Sequence, residues 1–371
     1  MCRTVLWAKS NRLRMSRRLS RKNCVQIFSP VSIYRGSGCS LLGPDPRFTR
    51  PICQIFLQAV TDHFHIRHLK PSDFLYLRLF WGDSLAPGPH LLADNLTPRQ
   101  LALRLTRDPE RERVSITLPE GWHRLQIARR LHDRKVCTAQ SFLDAASDPA
   151  LLRELNIGGD SAEGYLFPAT YPLAIDSDPK QVIRLFKAEF DRRLTRLKAA
   201  HPDGGPVREL GWTLQQVVTL ASVVEREAAV DDERALVASA FLNRFRDPTF
   251  TPKPPRLQSD ATTAYGCQIL RERVPSCAAY TGRVTPDMNG DALNPYSTYA
   301  HPGLPPGPIA NPGERSLQAA IAPADTKFLY FVGKGGGRHA FSETLAEHNA
   351  AVQRLRELPA TRPAPTTTAP R

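Results

Sequence analysis

The sequence predicts a mixed fold, several helices with a few short strands. Three observations point to it. Residues 114–118 (VSITL) alternate like a strand and run through a Pro-Glu-Gly turn into a helical pattern. Three helical segments follow between 178 and 245, and an apolar run at 328–332 returns through a glycine turn. With 371 residues the chain can form two or three domains with real cores. Hydrophobic content of 41% and charged content of 23% exclude a wholly disordered chain, a collagen-like repeat and a multi-span membrane protein. The 33 prolines exceed the roughly 19 of average usage.

The elements can be justified in order. Residues 1–52 mix Arg, Ser, Cys and Gly without sustained period and read as disordered, or as a misassigned start of the chain. Residues 53–110 carry apolar runs such as FLYLRLF at 74–80, and Thr97-Pro98 opens a helix in what reads as a small α/β subdomain. After the strand at 114–118, the positions Leu125, Ile127, Ala128 and Leu131 mark a helix. This strand, turn and helix resemble the opening of a LysM-type carbohydrate-binding module. Glu163-Gly-Tyr-Leu-Phe-Pro168 is aromatic and reads as a packed loop or short strand.

Asp178-Pro179 starts an amphipathic helix with Val182, Phe186, Phe190 and Leu194 at i+4 spacing. Thr213 caps a second, from Leu214 to about Ala229, and a third begins at Asp231 or Asp232 and ends near Phe245. Residues 247–312, rich in Pro, Gly, Tyr and Asn, read as ordered loops that carry function. The run at 328–332, the turn Gly335-Gly-Gly337 and His339-Ala-Phe341 form a hairpin, followed by a helix over 344–356 and a Pro/Thr tail from 358 to 371.

The formal charge is +14, with 50 Lys+Arg against 36 Asp+Glu, which invites a nucleic-acid reading. Its distribution argues otherwise. Residues 1–50 hold 11 Lys/Arg and one acid, Asp45, a net +10, so residues 51–371 carry only +4. The charge belongs to an arm, and no nucleic-acid partner is expected. No cofactor or metal is expected either: there is no C-x-x-C pair, the histidines have no ligand spacing, and GKGGG at 333–337 lacks the G-K-[ST] of a phosphate loop. Cys267 and Cys277 flank a short segment, as two separate thiols or, outside the cytoplasm, as a local disulfide. No stretch of about 18 apolar residues exists, and the basic arm feeds into no apolar signal-peptide core.

The most informative run is LASVVEREA at 220–228. At about 100° per residue, Leu214, Val217, Ala221, Val224 and Ala228 share one face, which must be buried. Glu225 and Glu227 then lie on opposite flanks of it and cannot face each other across a sugar as paired carboxylates do. At most one is a catalytic acid, and the other is structural. Glu227 borders Leu220 and Val223, which favours the neutral form a general acid needs. The bland alternative is two solvated charges at the edge of a helix.

The ordered set of motifs decides between them. Glu163-Gly-Tyr-Leu-Phe-Pro168, ASVVERE at 221–227, Asn243-Arg244, LQSD at 257–260, NPYSTY at 294–299, GLPPGPI at 303–309 and Asn311-Pro-Gly313 occur in this order. Together they resemble the endolytic murein transglycosylases, the YceG-like family, over about residues 70–356. The resemblance implies a LysM-like region, 111–175, followed by an α+β lytic transglycosylase catalytic domain, 176–357. It implies a lyase that cuts the β-1,4 bond between N-acetylmuramic acid and N-acetylglucosamine in nascent peptidoglycan strands. The expected place is the periplasmic face of the bacterial inner membrane, beside peptidoglycan synthases.

The family's catalytic glutamate is the second Glu of A-S-x-x-E-x-E, here Glu227, with Glu225 supporting. Gln258 and Asp260, in the L-Q-x-D motif, bind sugar hydroxyls or orient Glu227, or else form an Asx-type turn. Tyr296 and Tyr299 stack on sugar rings or anchor half-buried loops; Asn243 contacts substrate or caps its helix. His339 and His348 are expected to be structural. Ala261 stands where the family motif has proline, and the family's N-terminal membrane helix has no counterpart in residues 1–50. The competing readings are a non-catalytic wall-binding protein and a lysozyme-like muramidase.

Overall fold

The computed structural model describes strands at 2–7, 13–17, 24–27 and 88–91, residue 100, and residues 113–357. They belong to two compact units that divide between Arg113 and Val114. In the first, β1 (Cys2–Trp7), β2 (Leu13–Arg17), β3 (Cys24–Ile27) and β4 (Gly88–Leu91) form a sheet of order β2-β1-β3-β4. β1 runs antiparallel to β2, with Trp7 opposite Leu13, and parallel to β3; β3 and β4 are antiparallel. Three of these strands fall in residues 1–52, where the sequence predicts disorder. Main-chain pairing joins them, and that needs no side-chain period. The subdomain expected over 53–110 lies outside the described residues except at β4 and Gln100, and the tail over 358–371 lies wholly outside them.

β5 (Arg113–Thr117) leads into the second unit and pairs with β6 (Thr170–Ala174), with Leu118 N–H donating to the Ala169 carbonyl at 2.9 Å. Between them lie α1 (Arg124–Asp133), α2 (Ala139–Ala146) and α3 (Pro149–Glu154). The turn before α1 uses Gly121 at φ +73°, a left-handed conformation that glycine adopts without penalty. Ile127, Ala128 and Leu131 of α1 are buried, as their spacing predicts, while Leu125 is only half-buried.

α4 (Pro179–Ala200) begins where predicted: Asp178 accepts from Lys180 N–H at 3.1 Å and Pro179 takes the first position, where no N–H is needed. Its apolar row packs Phe186 on Tyr171 and Phe190 on Tyr165, with ring centroids 4.5 and 5.1 Å apart. After α5 (Gly205–Glu209) comes α6 (Leu214–Glu227), opened by a capping box between Thr213 and Gln216. A short 3-10 turn, Asp231–Glu233, precedes α7 (Arg234–Arg246).

α6 departs from expectation in one respect. The sequence predicts a single buried face, yet every residue from Val217 to Val224 is buried. α10 (Glu314–Ile321), α7, α5 and α8 (Asp260–Ile269) surround it, making it the central helix of the unit. Its polar members survive this by bonding along the helix. Thr219 Oγ1 donates to the Gln215 carbonyl and Ser222 Oγ to that of Thr219, both at 2.7 Å.

The region read as loops, 247–312, contains α8, a 3-10 turn at Pro275–Ala279 and α9 (Pro286–Gly290). Cys267 and Cys277 are bonded to each other here, and with Val274 and Met288 they form a small separate core. β7 (Tyr330–Gly335) and β8 (Arg338–Ser342) make the expected antiparallel hairpin, with Phe331 opposite Phe341. Gly335, Gly336 and Gly337 turn it at positive φ. α11 (Leu345–Glu357) follows. Among the described residues no helix is long and apolar enough to cross a membrane.

Candidate active site

The two glutamates of α6 have opposite surroundings. Glu225 Oε2 accepts from Gly313 N–H at 3.0 Å and from Ser316 Oγ at 2.7 Å, and lies 3.2 Å from Arg234 Nη1. This carboxylate ties α6 to the start of α10 and to a buried arginine. Glu227 has a single side-chain hydrogen-bond partner among the described residues, Ser259, whose hydroxyl donates to Oε1. Burial raises its pKa above the ordinary carboxyl value and the nearby charge of Asp260 adds to that. The Ser259 hydrogen bond and the charges of His339 and Arg244 act in the opposite direction.

Ser259 is delivered by a short, heavily braced segment. Arg244, buried on α7, donates to the carbonyls of Leu257 and Leu329, and Ser259 N–H donates to Thr298 Oγ1 at 3.0 Å. Gln258, between them, sits at φ +52°, a conformation that costs a residue with a side chain on the order of 1 kcal/mol and concentrates at functional sites. Its side chain is exposed. Asp260 opens α8, and its Oδ1 accepts from Tyr299 OH and Asn289 Nδ2, both at 3.0 Å.

Glu227 and Asp260 line one cleft of about 520 Å³ together with Ala261. The structure therefore brings together Glu227, Asp260 and, through its hydroxyl, Tyr299. Tyr296 stands one ring back, edge-on to the cleft residue Tyr265 at 4.9 Å. Asn243 is turned away from the cleft: its amide nitrogen donates to the carbonyls of Thr326 and Phe328 at 2.7 and 3.0 Å, bracing α7 against the approach to β7. The end of a helix looks the same in sequence whether its last amide caps, braces or binds, and here it braces.

Several cleft residues carry no signal in the sequence. His123 and Gln126, at the start of α1, form the wall opposite α8 together with Arg226. Burial, with the charges of Arg226 and Arg124, lowers the His123 pKa to about 4, so the ring is neutral at pH 7. Among the described residues its Nδ1 has no hydrogen-bond partner. Behind it, Glu163 is 1% exposed and accepts from Arg124 N–H at 3.0 Å, Asn311 Nδ2 at 2.8 Å and Tyr265 OH at 2.9 Å. Burial pushes its pKa up to about 7. The Glu163 and Asn311 motifs thus lock α1 onto the wall of the cleft. His339 accordingly serves structure, with Nδ1 2.8 Å from Glu233 Oε2, and no metal-binding cluster occurs among the described residues.

These features define a class: an α+β protein whose buried central helix delivers one partly desolvated carboxyl to a polar, aromatic-edged cleft. The YceG-like family model matches residues 58–354, and the chain belongs to that family. An endolytic murein transglycosylase of Bacillus subtilis (strain 168) is 30% identical over 254 residues, 64% of this chain and 64% of its own length. Another, from Streptococcus pneumoniae serotype 2, is 29% identical over 239 residues, 59% of this chain and 40% of its own length. The chain thus spans less than two thirds of either relative. A crystal structure of a YceG-like protein from Listeria monocytogenes is similar with TM-score 0.52 and 25% identity, covering 75% of this chain and 88% of that one.

Proposed function

We propose that the chain is an endolytic peptidoglycan lytic transglycosylase, a lyase that cuts nascent strands between N-acetylmuramic acid and N-acetylglucosamine. The observation that carries this reading is Glu227, a carboxyl with a raised pKa and one hydrogen-bond donor on the cleft floor. Protonated, it gives its proton to the glycosidic oxygen as the C1–O bond breaks. The carboxylate then takes the proton of the muramic acid C6 hydroxyl, whose oxygen bonds to C1 and closes a 1,6-anhydro ring. The substrate supplies the nucleophile, so one carboxyl serves as acid and then base, and no metal or organic cofactor takes part.

Asp260, held by Tyr299 and Asn289, is placed to keep Glu227 protonated and to accept sugar hydroxyls. As a second carboxylate on the same cleft it also gives a muramidase reading its one support, since hydrolysis needs a second carboxyl as base or nucleophile. The order β5-α1-α2-α3-β6 supports a LysM-like region whose α1 contributes the cleft wall. Peptidoglycan synthases as partners, and the periplasmic face of the inner membrane as location, rest on the family resemblance.

Digestion of purified peptidoglycan followed by mass spectrometry tests the assignment. Wild type is expected to produce anhydro-muramic ends, and Glu227→Gln none. Reducing muramic ends would mean a muramidase, and binding with no products from either form a wall-binding protein.

A further inference from the structure

The cleft at Glu227 continues into a second cavity of about 700 Å³. Both are lined by His123, Gln126, Gln268, Tyr280 and Gly282, so they form one groove between α1 and the disulfide-closed segment after α8. Its charge is uneven. Arg226 and Arg283 stand at the Glu227 end, and Arg129, Arg130 and Arg271 line the extension against a single acid, Asp133.

Two of the five are engaged: Arg130 lies 4.9 Å from the Trp122 ring centroid, and Arg271 donates to the Ala278 carbonyl at 2.9 Å. Arg129, Arg226 and Arg283 are exposed and have no carboxylate partner among the described residues. A guanidinium with its fork free is matched by a carboxylate, which it holds through two parallel hydrogen bonds. Sugar rings of a peptide-bearing glycan are uncharged, because the lactyl carboxyl is consumed in an amide. The anionic groups of such a strand are the carboxylates of its peptide stems.

We propose that the exposed arginines along this groove, Arg129, Arg226 and Arg283, form a subsite for stem-peptide carboxylates, so that the protein selects peptide-bearing strands by charge. This rests on the reading of the chain as a peptidoglycan transglycosylase.

The test uses two preparations of the same glycan strands with stem amines acetylated: one with free stem carboxylates, the other with those carboxylates converted to methylamides. Wild type is expected to show a KM about tenfold higher on the amidated strands, the loss of one or two charge-assisted contacts. In Arg129→Gln/Arg283→Gln that ratio should fall to about one, while Arg196→Gln, an exposed arginine of α4 outside the groove, should keep it. Equal KM values for wild type on both strands, or a ratio that survives in the double variant, would overturn the subsite and leave the transglycosylase reading intact. Absence of turnover on either strand would overturn that reading, and the subsite with it.

Discussion

The two flanks of α6 present the same functional group two residues apart and place it in opposite surroundings. On one flank Glu225 is saturated by Gly313, Ser316 and Arg234, so that it fastens helices and has little capacity for chemistry. On the other, Glu227 has Ser259 as its one side-chain hydrogen-bond partner among the described residues and faces a cleft, and its pKa is raised. Carboxylate identity and spacing are shared. What differs is the surroundings: Glu225 is spent on bonds that hold helices together, whereas burial, with the charge of Asp260 beside it, raises the Glu227 pKa against the single Ser259 donor.

Exchanging each carboxyl breaks this comparison most sharply. Glu227→Gln is expected to lower turnover by about 10²- to 10⁴-fold, the usual worth of a general acid–base group. It should be at least as stable as wild type at pH 7. The raised folded-state pKa of Glu227 means that its stabilising contribution is present below the unfolded value and lost as pH rises through the folded one, so the charged form is a cost at neutrality. Glu225→Ala should do the reverse, losing about 3 kcal/mol in urea unfolding because Arg234 stays buried with Asp231 as its one remaining ion-pair partner among the described residues. Its folded fraction should keep the pH–rate profile of wild type.

Changes around Glu227 should shift its titration without removing it. If Glu227 is the general acid, activity requires its protonated form, and kcat/KM is expected to fall as pH rises through the Glu227 pKa. Asp260→Asn removes a charge that raises that pKa and should move the alkaline limb to lower pH; Ser259→Ala removes a donor to the carboxylate and should move it to higher pH. Limbs moving in the same direction would contradict this arrangement. The smallest effect belongs to Cys277→Ser. It opens the segment that forms one groove wall while leaving α6 untouched, so KM should rise a few-fold with kcat little changed.

The sequence makes legible whatever depends on neighbours along the chain. The caps at Thr213 and Asp178, the i+4 row of α4 and the glycine turn of the hairpin are local physics, and each appears where its residues place it. The placement of Glu225 and Glu227 on different flanks also follows from their angle around the helix, whereas the choice of Glu227 as the acid comes from the family resemblance. What stayed hidden depends on partners far away in sequence. All-round burial of α6 requires α10 and α8 to fold back onto it. The His123–Gln126 wall requires Glu163 to bond across to Arg124, Tyr265 and Asn311, and no period encodes that. Asn243 and Tyr296 were legible as polar and aromatic but not in their directions, one bracing the main chain and the other backing Tyr265.

In the proposed mechanism a single carboxyl, Glu227, works twice while the substrate provides the nucleophile. Digestion in heavy-oxygen water distinguishes this from attack by solvent. If the muramic acid C6 hydroxyl attacks C1, the released ends are anhydro sugars with no label. Ends carrying one heavy oxygen at C1 would mean that water attacked, with Asp260 as the second carboxylate of a hydrolase, and would contradict the account.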